Sequence, residues 1–357
     1  KKLLPLLLFR LSSFYFNSRF LDKVSPICIE ALTLLGKNKD LDSTATRANI
    51  LNNLGNLYFL KGDFSEAKIY YNRSLSDLPS FYQKIQTRIN YLYSSCYSGD
   101  LKSAEIELEN LLQTKIIKHI PELKIQVMEA SANYYLESGN FAECLKQLNL
   151  MEGACKEHEN TRALVTSLTI KCKIYHYEND IINLKKQLKQ INDLRLHGLE
   201  SDLVIADLFE ALLTKKEEKA LKLYEYFLKN ELAPDKIYFS FRLAEFVMNK
   251  SKEKFMKFYS DALSESFRIR YLNVLVTEVI KNRRMLDFAI NSGLDVDTLS
   301  DIYSEIISRK NNDNLCAKII DLQDITLITS GVPEIFIRGV KIDDKKWARA
   351  KFKEMFM

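Results

Sequence analysis

Residues Asn53 to Pro79 read NLGNLYFLKGDFSEAKIYYNRSLSDLP, and this stretch constrains the fold of the chain more than any other. Leu54, Gly55 and Tyr58 share one helical stripe. Gly62 and Asp63 make a turn, Phe64, Ala67, Tyr71 and Ser74 form a second stripe, and Pro79 stops it. The pattern predicts a helix–turn–helix hairpin. Its small residues, Gly55 and Ala67, let the two helices approach closely while aromatic rings fill the space between them. One such hairpin cannot bury its apolar face alone, so the rest of the chain must supply neighbours.

The neighbours are visible at intervals of about 37 to 43 residues. Gly62 has successors at Gly99 and Gly139, 37 and 40 residues further on in each step. Leu101 and Ala104 take the places of Phe64 and Ala67 in the next unit, and Ala132, Tyr135, Phe141 and Cys144 repeat the pattern after it. A further unit carries Cys172 and Tyr175, with Asn179 in the glycine position, and asparagine is the next best residue for a left-handed backbone. Upstream, Tyr15 and Ala31 fit the pattern without a turn glycine; downstream, Ala211, Ala220 and Tyr224 fit it, followed by Pro234. Ten glycines and six prolines are too few to punctuate a sandwich or barrel of 357 residues, which also favours a helical chain.

Small and aromatic residues, turn glycine and closing proline at these positions resemble the tetratricopeptide repeat. The resemblance covers about five or six hairpins within residues 1–233 and decays through 234–294, where helical periodicity persists. It implies an all-α, right-handed superhelical solenoid of stacked antiparallel hairpins, with the first helix of each hairpin lining a concave face. Residues 295–357 read differently: a helix over Asp295 to Lys310, two β-prone runs around Ser330-Gly331-Val332-Pro333 that suggest a hairpin, and a terminal helix carrying Trp347, Phe352 and Phe356. This region is expected to cap the apolar end of the solenoid, with a docking or regulatory tail as the alternative.

The net charge of +5, from 52 basic and 47 acidic residues, is too mild and too evenly spread to point to nucleic acid. The basic-aromatic run KIDDKKWARAKFK is diluted by Asp343 and Asp344 and reads as a solvated helix face. Six cysteines without a framework read as buried thiols, and a cytoplasmic location is expected. The run Leu3 to Phe9 after two lysines faintly resembles a signal peptide, yet it is interrupted by Arg10 and equally fits the start of a repeat. No stretch approaches the roughly 20 apolar residues of a membrane span. Because the first residue is Lys1, the natural start is expected upstream.

No catalytic pattern emerges: the chain has no phosphate-cradling glycine loop, nucleophile elbow or HExxH, so no enzyme activity and no cofactor are expected. Cys144, Cys155 and His158 lack the paired second half of a metal site, and Cys172 one turn from His176 fills a small-residue slot of its repeat.

The constellation that points to function lies on the projected concave face. Asn49, Asn52, Asn53 and Asn56 face inward on one helix, with Gln86, Asn90 and Tyr93 on the next hairpin. Gln126, Glu129 and Asn133 follow, then Lys173 and His176, with Phe59, Tyr93 and Tyr177 as aromatic anchors. An asparagine side chain offers both a donor and an acceptor and can pair with both groups of a peptide bond, so this set predicts a peptide-binding groove. The same asparagines would also arise from composition alone. The family's carboxylate clamp needs a set of inward lysines, and here only Arg10 and Lys173 supply inward cations, which puts capture of an acidic chain terminus in doubt. The expected function is a protein- or peptide-binding scaffold serving a signalling protein. The alternatives are the C-terminal sensor module of a regulator with an upstream effector domain, and a nucleic-acid-binding solenoid.

Overall fold

The computed structural model describes residues 3–294 except 19, 37–40, 79, 195–199, 231 and 232, together with 298, 302, 325–328, 334–337, 340 and 341. Pro79, Cys316, most of the expected helix at 295–310 and the terminal helix with Trp347 lie outside the described residues. Helices pair as consecutive hairpins: α1 (Leu4–Asn17) with α2 (Leu21–Leu35), α3 (Leu41–Leu60) with α4 (Phe64–Leu75), and α5 (Phe81–Tyr97) with α6 (Leu101–Gln113). A 3-10 helix at Lys115–His119 leads into α7 (Pro121–Glu137) and α8 (Phe141–Glu157), followed by α9 (Thr161–Tyr177) with α10 (Ile181–Asp193) and α11 (Glu200–Leu213) with α12 (Glu217–Asn230). Then come α13 (Ala233–Val247), α14 (Lys252–Ile269), α15 (Leu272–Lys281) and α16 (Arg283–Asn291). The chain divides into two compact units, one of residues 1–239 with 265–271 and one of residues 240–264 with 272–357.

One local device closes the four hairpins from α3–α4 to α9–α10. Gly62 takes φ +80°, its N–H bonds to Phe59 O at 3.0 Å, and Asp63 N–H reaches back to Tyr58 O at 2.9 Å. This pair of bonds satisfies the last carbonyls of α3 in a Schellman ending. Asp63 then turns its carboxylate to the Glu66 N–H at 3.2 Å and caps α4. The same two-residue turn recurs at Gly99-Asp100, Gly139-Asn140 and Asn179-Asp180, the last with φ +56° at Asn179. Asparagine therefore replaces glycine there without loss of the turn. Glu159-Asn160 uses the device between hairpins, with φ +54° at Glu159 and an Asn160 cap on Ala163 N–H at 3.0 Å.

Between hairpins the core forms in patches that each span neighbouring units. Val24, Cys28, Ala31, Ile50, Leu54 and Leu57 join the first two hairpins; Ile85, Leu92, Leu108, Leu123 and Val127 join α5 and α6 to α7; Phe141, Cys144, Leu148, Met151 and Ile174 join α8 to α9. Each fully buried side chain of this size contributes about 1.5–3 kcal/mol, so the stack is held by contacts between neighbours. The run 265–271 packs on the C-terminal ends of α3, α5 and α7. The Tyr271 ring centroid lies 5.2 Å from that of Tyr97 and 6.3 Å from that of Phe64, and its hydroxyl donates to Glu137 Oε1 at 2.7 Å.

In the second unit Arg242 is fully buried, pairs with Glu278, and donates to Glu245 Oε2 at 3.0 Å. A buried arginine needs such partners, because an isolated charge in an apolar interior is strongly unfavourable. Phe255 packs edge-on to Phe288 at 4.7 Å and stacks on Tyr259 at 5.3 Å. Short strands β1 (Ile325–Ile328), β2 (Glu334–Ile337) and β3 (Val340–Lys341) pair antiparallel in chain order, with Ile325 opposite Ile337 and Phe336 opposite Lys341.

Candidate binding groove

A cavity of about 370 Å³ opens along α3, α5 and α7, the first helices of three successive hairpins. Asn49, Asn52 and Asn56 line one wall, Gln83, Gln86, Thr87, Asn90 and Tyr93 the middle, Gln126 and Glu129 the far wall, with Leu78 and Ile89 as apolar patches. Among the sequence-predicted residues, the structure thus brings together Asn49, Asn52, Asn56, Gln86, Asn90, Tyr93, Gln126 and Glu129. The positions follow from helix geometry, because steps of three and four residues keep one stripe facing the same way.

The asparagines form a ladder between hairpins. Asn49 Oδ1 accepts from Gln83 Nε2 at 3.3 Å, Asn52 Oδ1 from Thr87 Oγ1 at 3.0 Å, and Asn56 Oδ1 from Asn90 Nδ2 at 3.3 Å. Asn56 Oδ1 also accepts the Tyr71 hydroxyl at 2.8 Å. Each rung joins residues 34 or 35 apart, two or three short of the 37 that separate Gly62 from Gly99, so it links the first helices of adjacent hairpins with a small offset. With their oxygens engaged, the three asparagines that line the cavity retain Nδ2 hydrogens as donors. The ladder is therefore both a tie between repeats and a row of amide donors. At the far wall the Tyr93 hydroxyl bonds Glu129, and burial first, then the Glu129 charge, pushes the phenol well above its ordinary range.

The remaining sequence-predicted residues sit elsewhere. Asn53 follows Asn52 by one residue, about 100° around the helix, and turns toward α1, where its Nδ2 donates to Ser13 Oγ at 2.9 Å. Phe59 lies at the turn end of α3 and packs on Phe64 at 5.4 Å and Tyr97 at 5.7 Å. Asn133 is 7% exposed, accepts the Tyr97 hydroxyl at 3.3 Å and does not line the cavity. Lys173 and His176 stand on α9, one hairpin beyond the cavity. Lys173 pairs with Asp235 at 3.5 Å and covers the Tyr238 ring at 5.0 Å, while the His176 ring lies 5.3 Å from Phe209. Tyr177 stacks on Phe141 at 5.8 Å.

Gln83, Thr87, Leu78 and Ile89 line the cavity without having been singled out from the sequence. The signal for Gln83 and Thr87 was present: they stand 34 and 35 residues after inward asparagines, and pairing the amides of one hairpin with polar residues of the next would have found them. Cys144 is fully buried and its Sγ donates to Ala132 O at 3.0 Å, so this thiol belongs to the packing between α7 and α8. No helix among the described residues is long and apolar enough to cross a membrane.

Residues 48–81 match the family model of the tetratricopeptide repeat. That span runs from the asparagine wall through the Gly62 turn and α4 to the start of α5. No curated protein sequence matches the chain. The chain therefore contains a tetratricopeptide repeat within a stack of helical hairpins, a scaffold suited to protein interaction.

Proposed function

We propose that the groove along α3, α5 and α7 captures an extended peptide segment of a partner protein. The observation that carries this reading is the asparagine ladder: three carbonyl oxygens tied to the next hairpin leave a row of amide donors on residues that line the cavity. Such a row suits the carbonyl oxygens of an extended backbone, and it sets no demand on side-chain order. Leu78, Ile89 and Tyr93 add apolar surface on which side chains of the segment pack. Among the described residues the cavity lining contains no lysine, arginine or histidine, which fits poorly with a phosphate backbone as the ligand.

The test is an array of immobilised hexapeptides probed with the labelled chain, the best binders then titrated in solution. Gln86→Ala removes a groove amide that makes no side-chain hydrogen bond among the described residues, and Asn52→Ala removes one donor of the ladder. Both variants should weaken capture by about fivefold or more, the worth of roughly 1 kcal/mol. Affinities equal to wild type in both variants reject this groove as the site. We place the module in a regulatory setting, because a ligand pulling on asparagines whose oxygens tie α3 to α5 biases the spacing of the two hairpins. A scattering envelope identical with and without bound peptide would reject that part of the proposal.

A further inference from the structure

We propose that the outward face of α1 seats against an anionic lipid surface, its leucines and Phe14 entering the acyl boundary and the basic residues around it meeting the headgroups. This inference is independent of the peptide-binding groove, which lies on α3, α5 and α7.

Helix α1 has two dissimilar faces. Pro5 and Ser12 are buried, and Leu8, Phe9, Tyr15 and Phe16 pack on the core of Val24, Cys28 and Leu54. Leu4, Leu7, Leu11 and Phe14 advance in steps of three and four residues and form a second stripe, turned away from that core. They are exposed, Leu7 by 62% and Phe14 by 61%, and Leu3 beside them by 69%. Together these side chains make an apolar patch of about 500 Å², at the upper end of what a monomeric protein leaves open to water. Patches of that size mark interaction sites.

The charge around the stripe selects its occupant. Lys1, Lys2, Arg10, Arg19 and Lys23 stand in or beside α1 in the sequence, and among residues 1–23 only Asp22 is acidic. Arg10 is exposed on the border of the stripe, and Lys23 Nζ lies 5.2 Å from the centroid of the Tyr15 ring, near the C-terminal end of the helix. An apolar helix face flanked by cations is the arrangement of a helix lying in the plane of an anionic bilayer. With 14 residues, α1 falls short of the roughly 20 that a span needs, so it lies along the surface. A second copy docked through the same stripe would crowd these cations around one interface, and their repulsion opposes it. The stripe also carries no polar side chain from Leu4 through Leu7 and Leu11 to Phe14 that could fix the register of a folded partner, and a fluid lipid surface needs none.

The experiment mixes the full chain with vesicles of phosphatidylcholine, either alone or with about 30% phosphatidylserine, and measures the fraction that sediments with lipid. The expected result is binding about tenfold tighter to the anionic vesicles, falling as salt is raised. Leu7→Ser combined with Phe14→Ser should abolish binding and leave the melting temperature and the capture of groove peptides unchanged, because both side chains are exposed. Arg10→Gln removes a cation and no core packing, and should weaken binding about fivefold, which keeps the test sound even if the double variant melts early. Phe14→Trp in a Trp347→Phe background should shift its emission to the blue on anionic vesicles and be quenched by brominated acyl chains. Equal binding to neutral and anionic vesicles overturns the role of the cations. Binding retained in the folded double variant, or an unshifted emission, overturns the role of the α1 stripe. No binding to either vesicle overturns the proposal, and a dimer in analytical ultracentrifugation that the double variant disperses would assign the stripe to a second copy instead.

Discussion

The ring of Tyr71 lies over the backbone of Gly55: a Cβ placed on Gly55 would come within 2.5 Å of Tyr71 Cε1 and 2.6 Å of its Cδ1. Tyr71 is 1% exposed and tethered through its hydroxyl to Asn56 Oδ1 at 2.8 Å, so the ring has nowhere to withdraw. The close approach of α3 and α4 therefore depends on the absence of one methyl group.

Gly55→Ala should destabilise the first unit by about 2–4 kcal/mol, because the added methyl displaces a fully packed ring and loosens the Asn56 rung with it. Urea unfolding followed by circular dichroism measures this. A loss below about 0.5 kcal/mol would mean that α3 and α4 part without strain.

Tyr271 tests the packing of 265–271 on the ends of the first helices. Tyr271→Phe keeps the ring against Tyr97 and Phe64 but removes the donor to Glu137, and should cost about 1–3 kcal/mol because a carboxylate loses one of its hydrogen bonds. Tyr271→Ala should cost more, about 3–5 kcal/mol, through the lost ring. Equal losses in the two variants would assign the whole contribution to the hydroxyl.

Asp100 predicts a specific acid response. It caps α6 through Ser103 N–H at 3.2 Å and pairs with Lys68 of the preceding hairpin at 2.5 Å. Burial acts to raise its carboxyl, but the Lys68 and Ser103 contacts outweigh it and hold the group below its usual range. A depressed folded value stabilises the protein above the unfolded pKa, about 3.9, and that stabilisation is lost as pH falls through the folded value. Asp100→Asn keeps the cap and removes the charge. Its melting temperature should lie below wild type at pH 6, and the gap should close as pH falls through the depressed folded value. A gap independent of pH would rule out the ion pair as the cause.

The thiols give a reading of packing. Cys28, Cys96, Cys144, Cys155 and Cys172 are buried. Burial pushes Cys144 and Cys172 up to about 12; burial first, then Glu129 and Glu152, push Cys155 up to about 11. In a Cys316→Ser variant, a thiol reagent at pH 8 should label the native chain only as fast as it opens, and the unfolded chain at once. Rapid labelling without denaturant would contradict the packing of these helices.

Much of the hairpin stack was legible in the sequence because its determinants are local. The turn at Gly62-Asp63 is made by bonds that span three to five residues, and its copies at Gly99, Gly139 and Asn179 announce themselves by residue type. The stripe Asn49, Asn52, Asn56 could likewise be projected from helical steps alone. Asn53 could not be separated from its neighbours this way, since four asparagines in eight residues leave their directions open, and Ser13 of the preceding hairpin decides the matter.

What the sequence determined by itself is the series of capped helices, their turns and the inward stripe, because these depend on backbone sterics and on residues within one or two turns of each other. Only the tertiary structure decided how the amides are spent: which oxygens tie α3 to α5, that Asn133 is buried under Tyr97, and that Tyr271 reaches Glu137 across a separation of 134 residues. Those contacts join distant parts of the chain, so they leave no periodic trace. They exist only once packing has excluded water and each buried polar group has had to find its partner.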